Sequence, residues 1–154
     1  VYARNGTVYG CAGKPQYRLG SVREQCSPCF ELVAVSGTVA AYASTIIGYD
    51  SAVARVTVRS LEDGERLFDS PAMRADPRAE PDESVGSLVA KRDGHVAWIV
   101  VSRGIGGPSH RIVKVHRGDV VLDRGRTIHP DSLKLHGTLL SWKHGTQTRT
   151  ATLR

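Results

Sequence analysis

A short stretch of text recurs three times in this chain of 154 residues. Leu32-Val33-Ala34-Val35-Ser36-Gly37-Thr38-Val39-Ala40-Ala41-Tyr42 returns as Leu88-Val89-Ala90-Lys91-Arg92-Asp93-Gly94-His95-Val96-Ala97-Trp98. It returns again as Leu133-Lys134-Leu135-His136-Gly137-Thr138-Leu139-Leu140-Ser141-Trp142. Alternation of period two marks half-buried strands, and a glycine between two such runs supplies the positive φ of a tight turn. Each copy therefore predicts a β-hairpin whose second strand ends in an aromatic residue. Gly94 and Gly137 lie 43 positions apart and Gly37 and Gly94 lie 57 apart, the excess falling in a Pro- and acid-rich insertion from Pro71 to Gly86. A strand-built repeat of about 40 to 50 residues forms sheet units that bury their apolar faces only by stacking on one another.

The rest of the chain extends the same scheme. Ala54–Arg59 and Arg66–Asp69 flank a turn at Glu62-Asp63-Gly64, and Arg111–His116 and Val120–Asp123 flank one at Arg117-Gly118-Asp119, giving third and fourth strands to two units. Thr148–Leu153 is the third strand of the last unit, while Val1–Arg4, Thr7–Cys11 and Gln16–Gly20, with an Asn5-Gly6 turn, form a partial unit at the start. No stretch of ten or more residues shows helical apolar spacing, so the expectation is a single all-β domain. Its divisions are a partial unit 1–29, a repeat 30–70, an exposed insertion loop 71–86, a repeat 87–130 and a partial repeat 131–154.

These repeats resemble those of β-propeller proteins, without the Trp-Asp dipeptide or the Gly-Gly pair of the best-known blade types. The resemblance implies about three to four antiparallel blades, closed by pairing of the terminal strands or left as an incomplete ring. The Arg-, Val- and Ala-rich text ending in Trp142-Lys143-His144-Gly145 and Arg149-Thr150-Ala151-Thr152-Leu153 also resembles secreted proteins of high-GC actinobacteria, a likeness that implies a secreted protein and no activity. A chain opening at Val1 in strand-like sequence is expected to be a processed secretory protein or a trimmed fragment. Its longest apolar runs, such as Val96–Val101, fall far short of the roughly 20 residues of a spanning helix, so no membrane span is expected.

The formal net charge is +6, and it is unevenly placed. Residues 1–86 carry more acids than bases, whereas 87–154 hold the whole basic surplus and all six histidines. A polyanion-binding surface and a merely solvated basic face both fit that asymmetry. Within it Arg111, Lys114 and Arg117 are the candidate anion-binding residues. Cys11, Cys26 and Cys29 cluster near the start, and a bridge from Cys11 to Cys26 or Cys29 would close a loop of about 15 residues, stabilising by roughly 3 kcal/mol. Cys26-Ser27-Pro28-Cys29 has the spacing of a redox or zinc half-site, but it lacks a helix to activate a thiol and a second ligand pair.

Other recurring residues each admit a functional and a structural reading. Tyr42, Trp98 and Trp142 would line a ligand site or plug the space between sheets. The third-strand residues Arg55, Arg111 and Arg149 would form an anion-binding ring or lay their stems on neighbouring sheets. Asp69 and Asp123 would be an acid and base pair or turn caps. Gly37, Gly94 and Gly137 are turn positions. His110 and His116 are too far apart on one strand to share a metal, Gly104-Ile105-Gly106-Gly107-Pro108 reads as a hairpin loop, and the Asn5-Gly6-Thr7 sequon is first a turn signal. No metal or cofactor is implied.

The leading expectation is a secreted, propeller-like binding module for a protein, glycan or anionic surface, engaging it through hairpin loops. Nucleic acid is not favoured. The second is a propeller-type hydrolase or lyase with carboxylates or histidines gathered at a central face, and the third is a structural fragment of a larger chain.

Overall fold

The computed structural model describes residues 1–13, 15–22, 29–48, 52–73, 82–103, 110–115 and 120–154. All regular structure among them is strand, in the order β1 (Tyr2–Arg4), β2 (Thr7–Cys11), β3 (Gln16–Ser21), β4 (Cys29–Ser36), β5 (Val39–Ile47), β6 (Ala52–Ser60), β7 (Arg66–Pro71), β8 (Asp82–Ala90), β9 (Val96–Arg103), β10 (His110–Val115), β11 (Val120–Gly125), β12 (Lys134–His136), β13 (Leu139–His144) and β14 (Gln147–Thr152). The protein is all-β, as its period-two patterning predicts. No helix among the described residues is long and apolar enough to cross a membrane.

The three copies of the repeated text are the hairpins β4–β5, β8–β9 and β12–β13, each paired antiparallel. Gly37, Gly94 and Gly137 sit at their turns with φ of 61°, 86° and 60°, the left-handed region in which a Cβ is strained. Third and fourth strands follow as expected: β6 and β7 continue the first hairpin, β10 and β11 the second, and β14 the last.

The units are not separate sheets throughout. Eleven strands belong to one open, mixed sheet, in which β3 meets β4 and β6 meets β8 through parallel pairings with a single register pair each, Ser21 with Cys29 and Ala52 with Asp82. Strands β12–β14 form a second, three-stranded sheet. The insertion is shorter than its sequence suggests. Pro71 still belongs to β7, Ala72 is fully buried with its N–H on the Ala54 carbonyl, and β8 already begins at Asp82. Residues 74–81 lie outside the described residues.

Alternate faces of successive units make three cores. Val39, Ala41 and Ala43 of β5 and Val56 and Val58 of β6 pack on Val96, Trp98 and Val100 of β9. The other face of β9, through Ala97 and Ile99, packs with Leu140, Trp142 and Leu153 of the last unit. Ala40 and Tyr42, from the other face of β5, close over Val8 and Leu19 of the first. A central strand that is apolar on both faces is what stacking on two sides requires, and it explains the nearly unbroken Val-Ala-Ala-Tyr-Ala and Val-Ala-Trp-Ile-Val-Val runs.

Candidate functional site

Stacking three units in register carries their equivalent hairpin turns to a common place. Ser36 before the first turn, Lys91, Arg92 and Asp93 in the second, and Leu135 and Gly137 at the third line one pocket of about 470 Å³. The Arg92 stem lies across the first turn, where a Cβ at Gly37 would meet Arg92 Cγ at 3.1 Å. Asp93 is saturated by its own turn: Lys91 Nζ and His95 Nδ1 each lie 2.8 Å from its carboxylate, which also accepts the His95 N–H. The Lys91 ammonium and then the His95 contacts, outweighing burial, hold that carboxyl far below the usual range. Lys91 also reaches the Leu153 carbonyl, so its charge is engaged. Arg92 is exposed and makes no ion pair among the described residues. The pocket thus offers one unneutralised guanidinium, a serine hydroxyl and a short apolar wall from Ala90 and Leu135. That set can bind an acidic or hydroxyl-rich group, and it contains no nucleophile paired with a base.

The recurring aromatics lie in the cores. Tyr42 stacks on Phe30 at 5.7 Å between ring centres. Trp98 is fully buried beside Phe68 and donates its indole N–H to the Ala72 carbonyl at 2.9 Å. Trp142 donates to Asp123 Oδ2 at 2.7 Å. Buried indoles whose N–H groups are satisfied are structural plugs, with no face presented to a ligand.

The third-strand arginines are each taken up locally. Arg55 pairs with Asp69, Arg149 with Asp123, and Arg111 donates to the Ile128 carbonyl. Asp69 also accepts Thr57 and Arg66. Asp123 accepts Trp142, His144 Nδ1 at 2.9 Å and Arg149, joining β11 to the three-stranded sheet. Burial works to raise its pKa, yet the Trp142 and His144 hydrogen bonds and the neighbouring charges hold it below the ordinary value. Both aspartates anchor ion pairs, Asp123 also accepting the Arg124 N–H at 2.9 Å, and neither has a free lobe facing the other.

The expected anion-binding trio is not assembled. Lys114 is 3% exposed and lies over the Trp98 ring at 5.5 Å, a cation–π contact inside the core between units. Arg111 is committed to a backbone carbonyl, and Arg117 lies outside the described residues. A β-bulge between Val113 and Lys114 accompanies the inward placement of that lysine.

Opposite it is a residue the sequence reading assigned to an exposed loop. Glu83 of β8 is 1% exposed, accepts the Ala54 N–H at 3.3 Å through Oε2, and leaves Oε1 without a hydrogen-bond partner among the described residues. Burial pushes its carboxyl up to about 7, the Ala54 N–H and the Lys114 charge pulling the other way. The signal for it was alternation: Glu83 and Val85 share a parity with β8 running through both.

Cys11 is a free thiol, so the expected bridge from Cys11 to Cys26 or Cys29 is not made. Cys29 opens β4, and Cys26 lies outside the described residues. So do the Gly104–Pro108 loop, His116 and the His110 side chain. Asn5 and Gly6, at φ 50° and 72°, make the tight β1–β2 turn that the Asn-Gly pair predicts. Among the described residues no group of three His, Cys, Asp or Glu side chains is placed to hold a metal ion. Comparison with protein-family models, with curated proteins and with solved structures finds no match to this chain.

Proposed function

We propose that this chain is a secreted, β-propeller-like binding module whose meanders act as blades and whose ligand site is the pocket at the converged hairpin turns. The observation that carries the reading is that three equivalent turns, far apart in sequence, line one cavity. Turns on a rigid stack of sheets are where binding residues are commonly held, since the scaffold fixes their geometry while their side chains remain free to vary. Arg92 is the ionic anchor, Ser36 the hydroxyl partner, and the ligand is a protein or glycan carrying an acidic group.

Two features of the described residues favour binding over hydrolysis or elimination. The repeated carboxylates Asp69 and Asp123 and the turn carboxylate Asp93 are consumed by ion pairs, and Glu83, whose carboxyl is raised and carries an oxygen without a hydrogen-bond partner among the described residues, is 1% exposed and out of a ligand's reach. A general base needs a free, reachable lone pair, and a general acid needs a proton that these depressed or paired groups do not retain.

The test is a panel of immobilised acidic and neutral oligosaccharides and acidic peptides, probed with the full chain and with Arg92→Ser and Ser36→Ala. Ligands of the turn pocket are expected to lose at least about tenfold in affinity with Arg92→Ser, the range for losing one charge-assisted hydrogen-bonding group. Absence of any binder, or binders indifferent to both substitutions, overturns the reading.

A further inference from the structure

The three-stranded sheet has an inner and an outer face of opposite character. Leu140, Trp142 and Ala151 point inward to the core shared with β9. The alternate residues point outward: Lys134 opposite Ser141 opposite Thr150, His136 opposite Leu139 opposite Thr152, and Lys143 opposite Thr148. All but the half-buried Ser141 are exposed. Lys134 and Lys143 are diagonal neighbours across β12 and β13, which sets their Cα atoms about 7–8 Å apart. Lys143 Nζ is steered by the Thr148 hydroxyl at 2.7 Å, a contact that orients the ammonium without neutralising it. Neither lysine makes an ion pair among the described residues. A cleft of about 360 Å³ opens beside them, lined also by Ser132, whose Oγ accepts the Lys143 N–H at 2.9 Å, and by Asp131, the one carboxylate among the described residues that line it.

We propose that this outer face binds an acidic polysaccharide. The chemistry of the lattice selects that occupant. Threonine and serine hydroxyls both donate and accept, which matches the hydroxyls of a sugar chain, while two unneutralised ammonium groups in the same lattice match its carboxylates or sulfates. A single-stranded nucleic acid would need large exposed rings on which to stack its bases, whereas the one exposed ring among the described residues of this face is the small imidazole of His136, and Trp142 at the cleft is 3% exposed with its N–H engaged with Asp123. A further sheet unit would need an apolar partner face like Ala41, Val56 and Trp98 in the internal interfaces, whereas Thr148, Thr150 and Lys143 would each be desolvated without compensation. The site is separate from the turn pocket and shares no residue with it.

The test measures the affinity of the full chain for immobilised heparin and polygalacturonate, with oligo-dT as a base-bearing polyanion, at low and at physiological ionic strength. Binding to at least one of the two polysaccharides is expected, with weakening as salt screens the contact. The double substitution Lys134→Ser, Lys143→Ser is expected to lower affinity at least about tenfold. Thr150→Val, which keeps charge and shape and removes one hydroxyl, is expected to lower it about threefold. Both losses are read in the Arg92→Ser background as well as in the full chain, so that an acidic glycan held by the turn pocket does not mask them. Failure to bind either polysaccharide overturns the proposal. Equal affinity for oligo-dT, or a double variant whose affinity is undiminished in the Arg92→Ser background, would each overturn it as well.

Discussion

Asp69 and Asp123 occupy the same place in two copies of the repeat, yet the molecule uses them differently. Asp69 closes a four-stranded unit on itself: its partners Arg55, Thr57 and Arg66 all come from β6 and β7, and its side chain keeps 23% exposure. Asp123 reaches out of its unit to Trp142, His144 and Arg149 of the three-stranded sheet, with 4% of its side chain exposed. Repetition of sequence fixes where a carboxylate sits along its strand. What it binds is decided by the neighbouring unit, and that neighbour follows Asp123 but not Asp69 on the relevant side.

The sharpest way to break this comparison is to delete each acid. Asp123→Ala leaves a buried indole N–H without its acceptor, at a cost of about 1–3 kcal/mol, and takes the charge partner from the partly buried His144 imidazole and the exposed Arg149 guanidinium. Urea denaturation followed by the fluorescence of Trp98 and Trp142 together should register that loss as a lowered midpoint. A loss under about 1 kcal/mol would mean that the apolar core around Leu140 and Leu153 holds the two sheets together unaided.

Glu83 sharpens the contrast because its carboxyl is displaced the other way. Its folded-state value, about 7, exceeds the ordinary 4.5, so between those values the folded chain holds a proton that the unfolded chain has released. Stability therefore falls as pH rises through that window, then levels above 7. Asp123 is depressed, so its contribution is complete above the ordinary carboxylate value and disappears as pH falls through its lower folded value. The two slopes have opposite signs. Glu83→Gln is expected to flatten the decline between about pH 4.5 and 7 and to raise stability at pH 8 by on the order of 3 kcal/mol, since each unit of displacement is worth about 1.4 kcal/mol. A variant retaining the wild-type decline would assign it to another group.

Much of this architecture was legible because hairpins are written locally. Gly37, Gly94 and Gly137 between alternating runs located three turns, and the apolar runs through Tyr42 and Trp98 marked strands sandwiched on both sides. The convergence of those turns on one pocket was not legible, because it depends on how units stack, a relation between residues more than forty positions apart. Glu83 and Lys114 were misplaced for a related reason. A charged residue reads as solvent-facing unless the strand continues through it, and the proline-rich text before β8 masked its true start. Lys134 and Lys143 lay within the basic half, yet only the pairing of β12 with β13 sets them side by side.

The smallest expected effect belongs to the other member of the opening pair. Asp69→Ala removes contacts to Arg55, Arg66 and Thr57 at a site where water reaches every charged partner: the Arg55 side chain is 30% exposed and that of Arg66 57%. Solvent replaces the lost acceptor for each guanidinium, and surface ion pairs are worth about 0–1 kcal/mol. The expected loss is therefore under about 1 kcal/mol in the same denaturation experiment, and it should shrink further in high salt because exposed pairs are screened. Asp123→Ala should keep most of its penalty in that salt, since the carboxylate and the Trp142 indole it accepts are buried and only its pair with the 44%-exposed Arg149 is open to screening. Equal losses, or equal salt sensitivity, would show that the two repeats hold their carboxylates in equivalent environments after all, and that the reach of Asp123 across to β13 and β14 adds nothing to what a strand-pairing aspartate already supplies.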